Sequence, residues 1–168
     1  MAYKTEENIN EAFGGESKAH RRYTFYAAKA EEEGYPQVAR LFRAVAEAET
    51  VHARNHLNAM HAIGSTKDNL FAASLGEQEE FKKMYPAFIT KAKEERNERA
   101  ERTFSWANQV EEIHHGYFEE ALVAVRDGSQ LTETTYYVCQ VCGNTVTGEP
   151  PEVCPICGAP ARSFMKID

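Results

Sequence analysis

The sequence predicts a mainly α-helical chain, a four-helix bundle closed by a small β-rich metal knuckle. Three observations carry this. All four cysteines fall in the last fifth of the 168 residues, as two Cys-x-x-Cys pairs. Residues 1–127 are rich in Ala, Glu, Lys and Arg and contain only Pro36 and Pro86. Within that region a pattern of Phe, Glu and His occurs twice.

Four helices divide the first region. Helix one runs from about Thr5 to Glu33 and closes at Gly34-Tyr35. Helix two starts near Pro36, a residue favoured in the first helical turn, and ends near Gly64. Helix three spans about Asn69 to Glu95, with Pro86 expected to kink or restart it. A turn near Arg96-Asn97 leads into helix four, which ends near Arg126 before Asp127-Gly128. Residues 128–135 read as a linker. Residues 136–168 hold four of the six prolines and short β-prone runs such as Tyr136-Tyr137-Val138, and form a separate knuckle domain.

The net charge of −7 argues against a nucleic-acid or anionic-membrane partner. No run of 18 apolar residues exists to span a membrane. The segment from Met1 to Glu7 lacks the apolar stretch of a signal peptide, so a cytoplasmic location is expected. In a reducing compartment four clustered thiols read as metal ligands rather than disulfides.

The internal repeat carries the chemistry. Phe42 is followed ten residues later by His52, and Phe104 ten residues later by His114. Each histidine has a glutamate three residues before it, Glu49 and Glu111. Each pair has a single glutamate upstream, Glu16 before Glu49 and Glu80 before Glu111, at separations of 33 and 31 residues. Glu77 and Glu79 are close rivals of Glu80. On helix two, Val38, Phe42 and Val45 form an apolar stripe that Glu49 and His52 continue. On helix four, Glu111 and His114 interrupt a stripe running from Phe104 to Phe118. Glu112 and His115 have the same spacing but sit about 100° off that stripe.

Charge on a core stripe is costly unless paired or coordinating. The i, i+3 spacing puts Glu and His on one helix face. Four carboxylates and two imidazoles form the donor inventory of a carboxylate-bridged di-iron or di-manganese centre in a helical bundle. The expected ligands are Glu16, Glu49, His52, Glu80, Glu111 and His114. Tyr23 lies on the Glu16 face and is a candidate hydrogen-bond partner for a ligand carboxylate.

In the knuckle, Cys139, Cys142, Cys154 and Cys157 supply a tetrahedral tetrathiolate site for one iron or zinc ion. Gly143 and Gly158 follow the second cysteine of each pair and permit the tight turn.

These residues resemble rubrerythrin over essentially the whole chain. The resemblance rests on Gly15-Glu16-Ser17 with Tyr23, on Glu49-Thr50-Val51-His52-Ala53, and on Met84-Tyr85-Pro86 after Glu80. It rests also on Glu111-Glu112-Ile113-His114 and on the terminal Cys-Pro-Ile-Cys-Gly. It implies a ferritin-like bundle with two irons and a rubredoxin-like domain with one. It implies a homodimer or larger assembly, in which one subunit's rubredoxin-like iron approaches another's di-iron centre. The implied activity is cytoplasmic reduction of hydrogen peroxide to water, with electrons from an NAD(P)H-linked reductase or a rubredoxin. A long crossover between helices two and three is also implied, for which residues 64–75 are available.

Rubrerythrins carry a further glutamate three residues after the helix-three ligand, which exchanges with a histidine matching His52 as the iron changes oxidation state. Counting from Glu80, that position is Lys83. This departure raises a second reading, a ferroxidase or iron-handling protein without efficient peroxidase turnover. A third is a zinc-stapled helical protein without catalysis.

Overall fold

The computed structural model describes residues 4–168; residues 1–3, the start of the segment read for a signal sequence, lie outside them. The chain forms two compact units, residues 1–64 and 65–168.

The first unit is an antiparallel pair, α1 (Lys4–Glu32) and α2 (Pro36–Ala59). Gly34, at φ +80°, makes the left-handed turn between them. Pro36 sits in the first turn of α2, where its missing N–H costs nothing. Ala27, Ala30, Ala39 and Ala46 are buried between the helices, small enough for close approach. Tyr23, Tyr26 and Phe42 pack beside them, with ring centroids 5.6–6.3 Å apart.

The second unit begins with α3 (Thr66–Glu79). Its start is fixed by a capping box: the Asp68 N–H donates to Ser65 Oγ at 3.2 Å and the Ser65 N–H to Asp68 Oδ2 at 3.3 Å. The cap starts the helix at Thr66, so the connection from α2 covers residues 60–65.

Helix three is not continuous. Between α3 and α4 (Tyr85–Glu94) lies a π-helical turn, Glu80–Met84. The Tyr85 N–H donates to the Glu80 carbonyl, five residues back. Pro86 explains the location. It has no N–H for the Lys82 carbonyl and its ring crowds that carbonyl, so the preceding turn widens. An Asn97 cap on the Ala100 N–H, at 3.1 Å, then starts α5 (Glu98–Arg126). Val110, Ala121 and Leu122 of α5 are buried with Ser74 of α3 and Ala92 of α4.

Three antiparallel strands follow, β1 (Tyr136–Cys139), β2 (Thr145–Thr147) and β3 (Phe164–Ile167), in the order β2-β1-β3. Val138 pairs with Thr145 on one side and Met165 on the other. Cys139, Cys154, Ala159 and Phe164 form the small core of this module. No described helix is long and apolar enough to cross a membrane.

Leu122 is 1% exposed and is the largest fully buried side chain among the described residues. Truncating it removes buried methyl groups that α5 cannot replace. Leu122→Ala is expected to cost about 2–5 kcal/mol, read as a lower urea midpoint followed by helical circular dichroism. An unchanged midpoint would contradict this packing.

Candidate metal centres

Each unit carries one cluster of oxygen and nitrogen donors. In the first, Glu16 of α1 and Glu49 and His52 of α2 bring ligand atoms within 4.8 Å of one another. His52 Nδ1 lies 2.9 Å from Glu49 Oε2 and 3.8 Å from Glu16 Oε1. In the second, His114 Nδ1 lies 2.8 Å from Glu111 Oε2, the same i, i+3 arrangement. The repeat in sequence is therefore a repeat in geometry: both histidines aim Nδ1 at a carboxylate one turn earlier.

The upstream glutamate of the second cluster is Glu77. Glu77, Glu111 and His114 bring ligand atoms within 4.8 Å, whereas Glu80, favoured by register in the sequence, is not in this group. The π turn accounts for the difference. Glu77 precedes Glu111 by 34 residues, against 33 for Glu16 and Glu49. A π turn accommodates one residue beyond the α-helical pattern, so it absorbs the extra residue. Glu80 stays close enough for Glu111 to act on it. Burial and the Glu111 charge together raise its carboxyl above the usual range. Lys83 is exposed and pairs with Glu79 at 2.7 Å, away from these donors. Glu80 stands three residues beyond Glu77.

The electrostatics of the second cluster favour a cation. Burial, then the charge of Glu111, pushes Glu77 up to about 7. The hydrogen bond to Glu111 raises His114, with burial opposing. Tyr85, next to Pro86, is raised by burial and then by Glu80, Glu111 and Glu77, so its phenol lies among all three carboxylates. Like charges held this close bind protons or metal.

Several neighbouring residues have other roles. Tyr23 stacks with Tyr26 and Phe42. His115 turns away from the cluster: its Nδ1 lies 3.1 Å from Ser74 Oγ and 3.0 Å from the Ser74 carbonyl oxygen. Ser74 also donates to Glu119, so a polar group buried between α3 and α5 is fully partnered. Only the spacing of His115 from the stripe hinted at this in the sequence.

The third cluster is the knuckle. Cys139 and Cys157 sulfurs lie 3.7 Å apart, and Cys142 and Cys154 sulfurs 3.6 Å. A tetrahedral tetrathiolate with metal–sulfur bonds of about 2.3 Å has edges of about 3.8 Å, so the sulfurs are spaced for one ion. Gly143 and Gly158 adopt φ +86° and +76°. Their N–H groups donate to the Cys139 and Cys154 carbonyls at 2.8 and 2.9 Å, one matching turn per pair. Burial opposes ionisation of Cys154, yet backbone N–H groups of Cys157 and Ile156 hold it down to about 7. The buried Asn144 amide also donates to the Cys154 sulfur, at 3.7 Å.

Comparison with known proteins agrees with this pairing of clusters. The rubrerythrin family model matches residues 7–122, and the model of the rubrerythrin rubredoxin-like domain matches residues 137–165. The chain belongs to the rubrerythrin family. It is 37% identical to Rubrerythrin-2 of Clostridium acetobutylicum, covering 96% of this chain and 95% of that protein. It is 37% identical to nigerythrin of Nitratidesulfovibrio vulgaris over 95% of this chain and 85% of that one. The solved structure of fully reduced, all-ferrous nigerythrin matches with a TM-score of 0.58 at 33% identity, covering 99% of this chain and 88% of that chain. Membership in the rubrerythrin family carries a ferritin-like di-iron region followed by a rubredoxin-like four-cysteine site. The donor sets fit both: oxygen and imidazole in the helices, thiolate in the knuckle.

The raised Glu77 and His114 values set the pH dependence of the metal-free chain. Folded Glu77 keeps its proton to about 7, against 4.5 for the free side chain, so the folded state binds more protons in between. Stability then falls as pH rises through that window. His114 acts with the same sign, its contribution being present below 6.5 and lost as pH rises through its higher folded value. The melting temperature of the metal-free chain is expected to drop between about pH 5 and 8, with a shallower slope in Glu77→Gln. Equal slopes in the two proteins would contradict the assignment.

Proposed function

We propose that this chain is a non-haem di-iron peroxidase that reduces hydrogen peroxide to water. The observation that supports it most is the coexistence of two Glu, Glu-x-x-His donor sets and a tetrathiolate site in one chain. Glu16, Glu49 and His52 of the first unit and Glu77, Glu111 and His114 of the second are the candidate iron ligands, four carboxylates and two imidazoles in all. Glu80, kept from the sequence reading, serves as the further carboxylate three residues beyond Glu77 that the family uses. Cys139, Cys142, Cys154 and Cys157 hold the third iron.

When bound, the irons would supply the redox chemistry, two electrons which with two protons convert one peroxide into two waters. The chain's own residues set the conditions. The carboxylates would offset the metal charge. Both histidines present Nδ1 to the carboxylate cluster. Tyr85, its phenol raised, keeps its proton at neutral pH and is available to donate a hydrogen bond to a carboxylate beside it. Electrons come from an NAD(P)H-linked reductase or a rubredoxin, in a homodimer or larger homo-oligomer. A cytoplasmic setting fits four thiols needed as ligands.

The iron-handling alternative rested on Lys83. Its ammonium faces solvent and Glu79, so it offers no reason to separate this chain from peroxide chemistry.

Stopped-flow mixing of the reduced full chain with peroxide tests the proposal. Rapid oxidation by peroxide, faster than by oxygen, is expected; slow peroxide oxidation would sink it. Glu77→Gln should lower iron in the helical region. Lys83→Ala should leave the rate within about twofold, as for a surface substitution.

A further inference from the structure

The knuckle touches the ligand helix of its own chain. Within the unit 65–168, the segment Gly143–Thr145 lies against Val110, His114 and Tyr117 of α5. These three positions, at i, i+4 and i+7, share one helix face. A Cβ on Gly143 would stand 3.8 Å from Val110 Cγ1. The Tyr117 hydroxyl donates to the Thr145 carbonyl at 3.2 Å. His114 Nε2 lies 3.0 Å from Thr145 Oγ1.

The direction of that last bond follows from its neighbours. The Thr145 hydroxyl donates its proton to the Gly143 carbonyl at 3.2 Å. Its oxygen is left as an acceptor, so His114 Nε2 carries the hydrogen. The opposite ring nitrogen, Nδ1, faces Glu111. A histidine that binds metal through one nitrogen is oriented by the partner of the other, which fixes both tautomer and ring plane.

We propose that Thr145 is a positioning residue for the di-iron site: by accepting the His114 Nε2–H it holds Nδ1 toward the metal, and so makes the tetrathiolate module of the same chain part of that site's support. This rests on the reading of His114 as a metal ligand. The hydrogen-bonded path is short. It runs from Gly143, the residue after Cys142, through the Thr145 hydroxyl to His114. The family resemblance implied only an approach between subunits; this contact lies inside one chain. Substitutions in the knuckle that leave its tetrathiolate intact therefore alter metal binding in the helices.

The test uses the full chain and two readouts besides turnover. The zinc-loaded protein is followed by nitrogen-15 NMR at the His114 ring, and zinc affinity of the helical site is measured by competition with a chelator. In the native chain the His114 Nε2–H is protected from solvent exchange, and zinc shifts the Nδ1 resonance. Thr145→Val keeps the shape and removes the acceptor. It is expected to speed Nε2–H exchange at least about tenfold and to weaken zinc binding in the helical site by about 10–100-fold. Thr145→Ser is expected to restore both, and Thr145→Ala repeats the valine result should valine disturb β2. Cobalt–thiolate absorbance of the knuckle site, unchanged in all variants, verifies that the knuckle is folded. A zinc-induced Nδ1 shift together with unaltered exchange and affinity in both Thr145→Val and Thr145→Ala would overturn the proposal alone. Absence of any zinc effect on Nδ1 would overturn the ligand reading of His114 and the proposal with it.

Discussion

Like charge held at close range governs the helical region. Burial, with the Glu111 charge beside it, lets Glu77 retain its proton to about 7. Side chains in such a place cost free energy unless a cation or proton joins them. The same Glu, Glu-x-x-His donor set occurs once in each unit. The arrangement makes sense as chemistry before it makes sense as packing. Elsewhere the buried positions are largely small or apolar, Ala27 and Ala39 in the first unit and Val110 and Leu122 in the second.

The tetrathiolate knuckle follows a different rule. Soft sulfur donors and short N–H contacts select a single ion and leave little apolar core to build. Its stability and that of its metal are therefore one quantity. Because β2 lies on α5, the knuckle is also a neighbour of the oxygen-rich site rather than a tethered appendage. The unit 65–168 thus holds a soft donor set and a hard one side by side.

Much of this was legible in the sequence. The turn at Gly34, the Pro36 start and the Cys-x-x-Cys glycines each have a local cause that a sequence states directly. So does the Glu-x-x-His pair, because i, i+3 spacing sets its geometry without reference to the rest of the chain. Glu77 was harder. Choosing it over Glu80 required knowing that Pro86 widens the preceding turn by one residue, a change in backbone that no residue type announces. The 34-residue spacing to Glu111, one more than its counterpart, was the available signal. Thr145 was not legible, and the Ser74–His115 pair only in that His115 sits off the stripe, since both depend on which surfaces meet between segments 31 and 41 residues apart.

Everything above turns on one chain holding two irons on oxygen and imidazole donors and one on four thiolates. Iron analysis with Mössbauer spectroscopy on the anaerobically reconstituted full chain tests this most directly. Three irons per chain in a 2:1 ratio are predicted, the pair with oxygen and nitrogen coordination, and the signal of the pair is lost in Glu77→Gln. A single tetrathiolate iron with none in the helices, or an iron pair indifferent to Glu77, would contradict it.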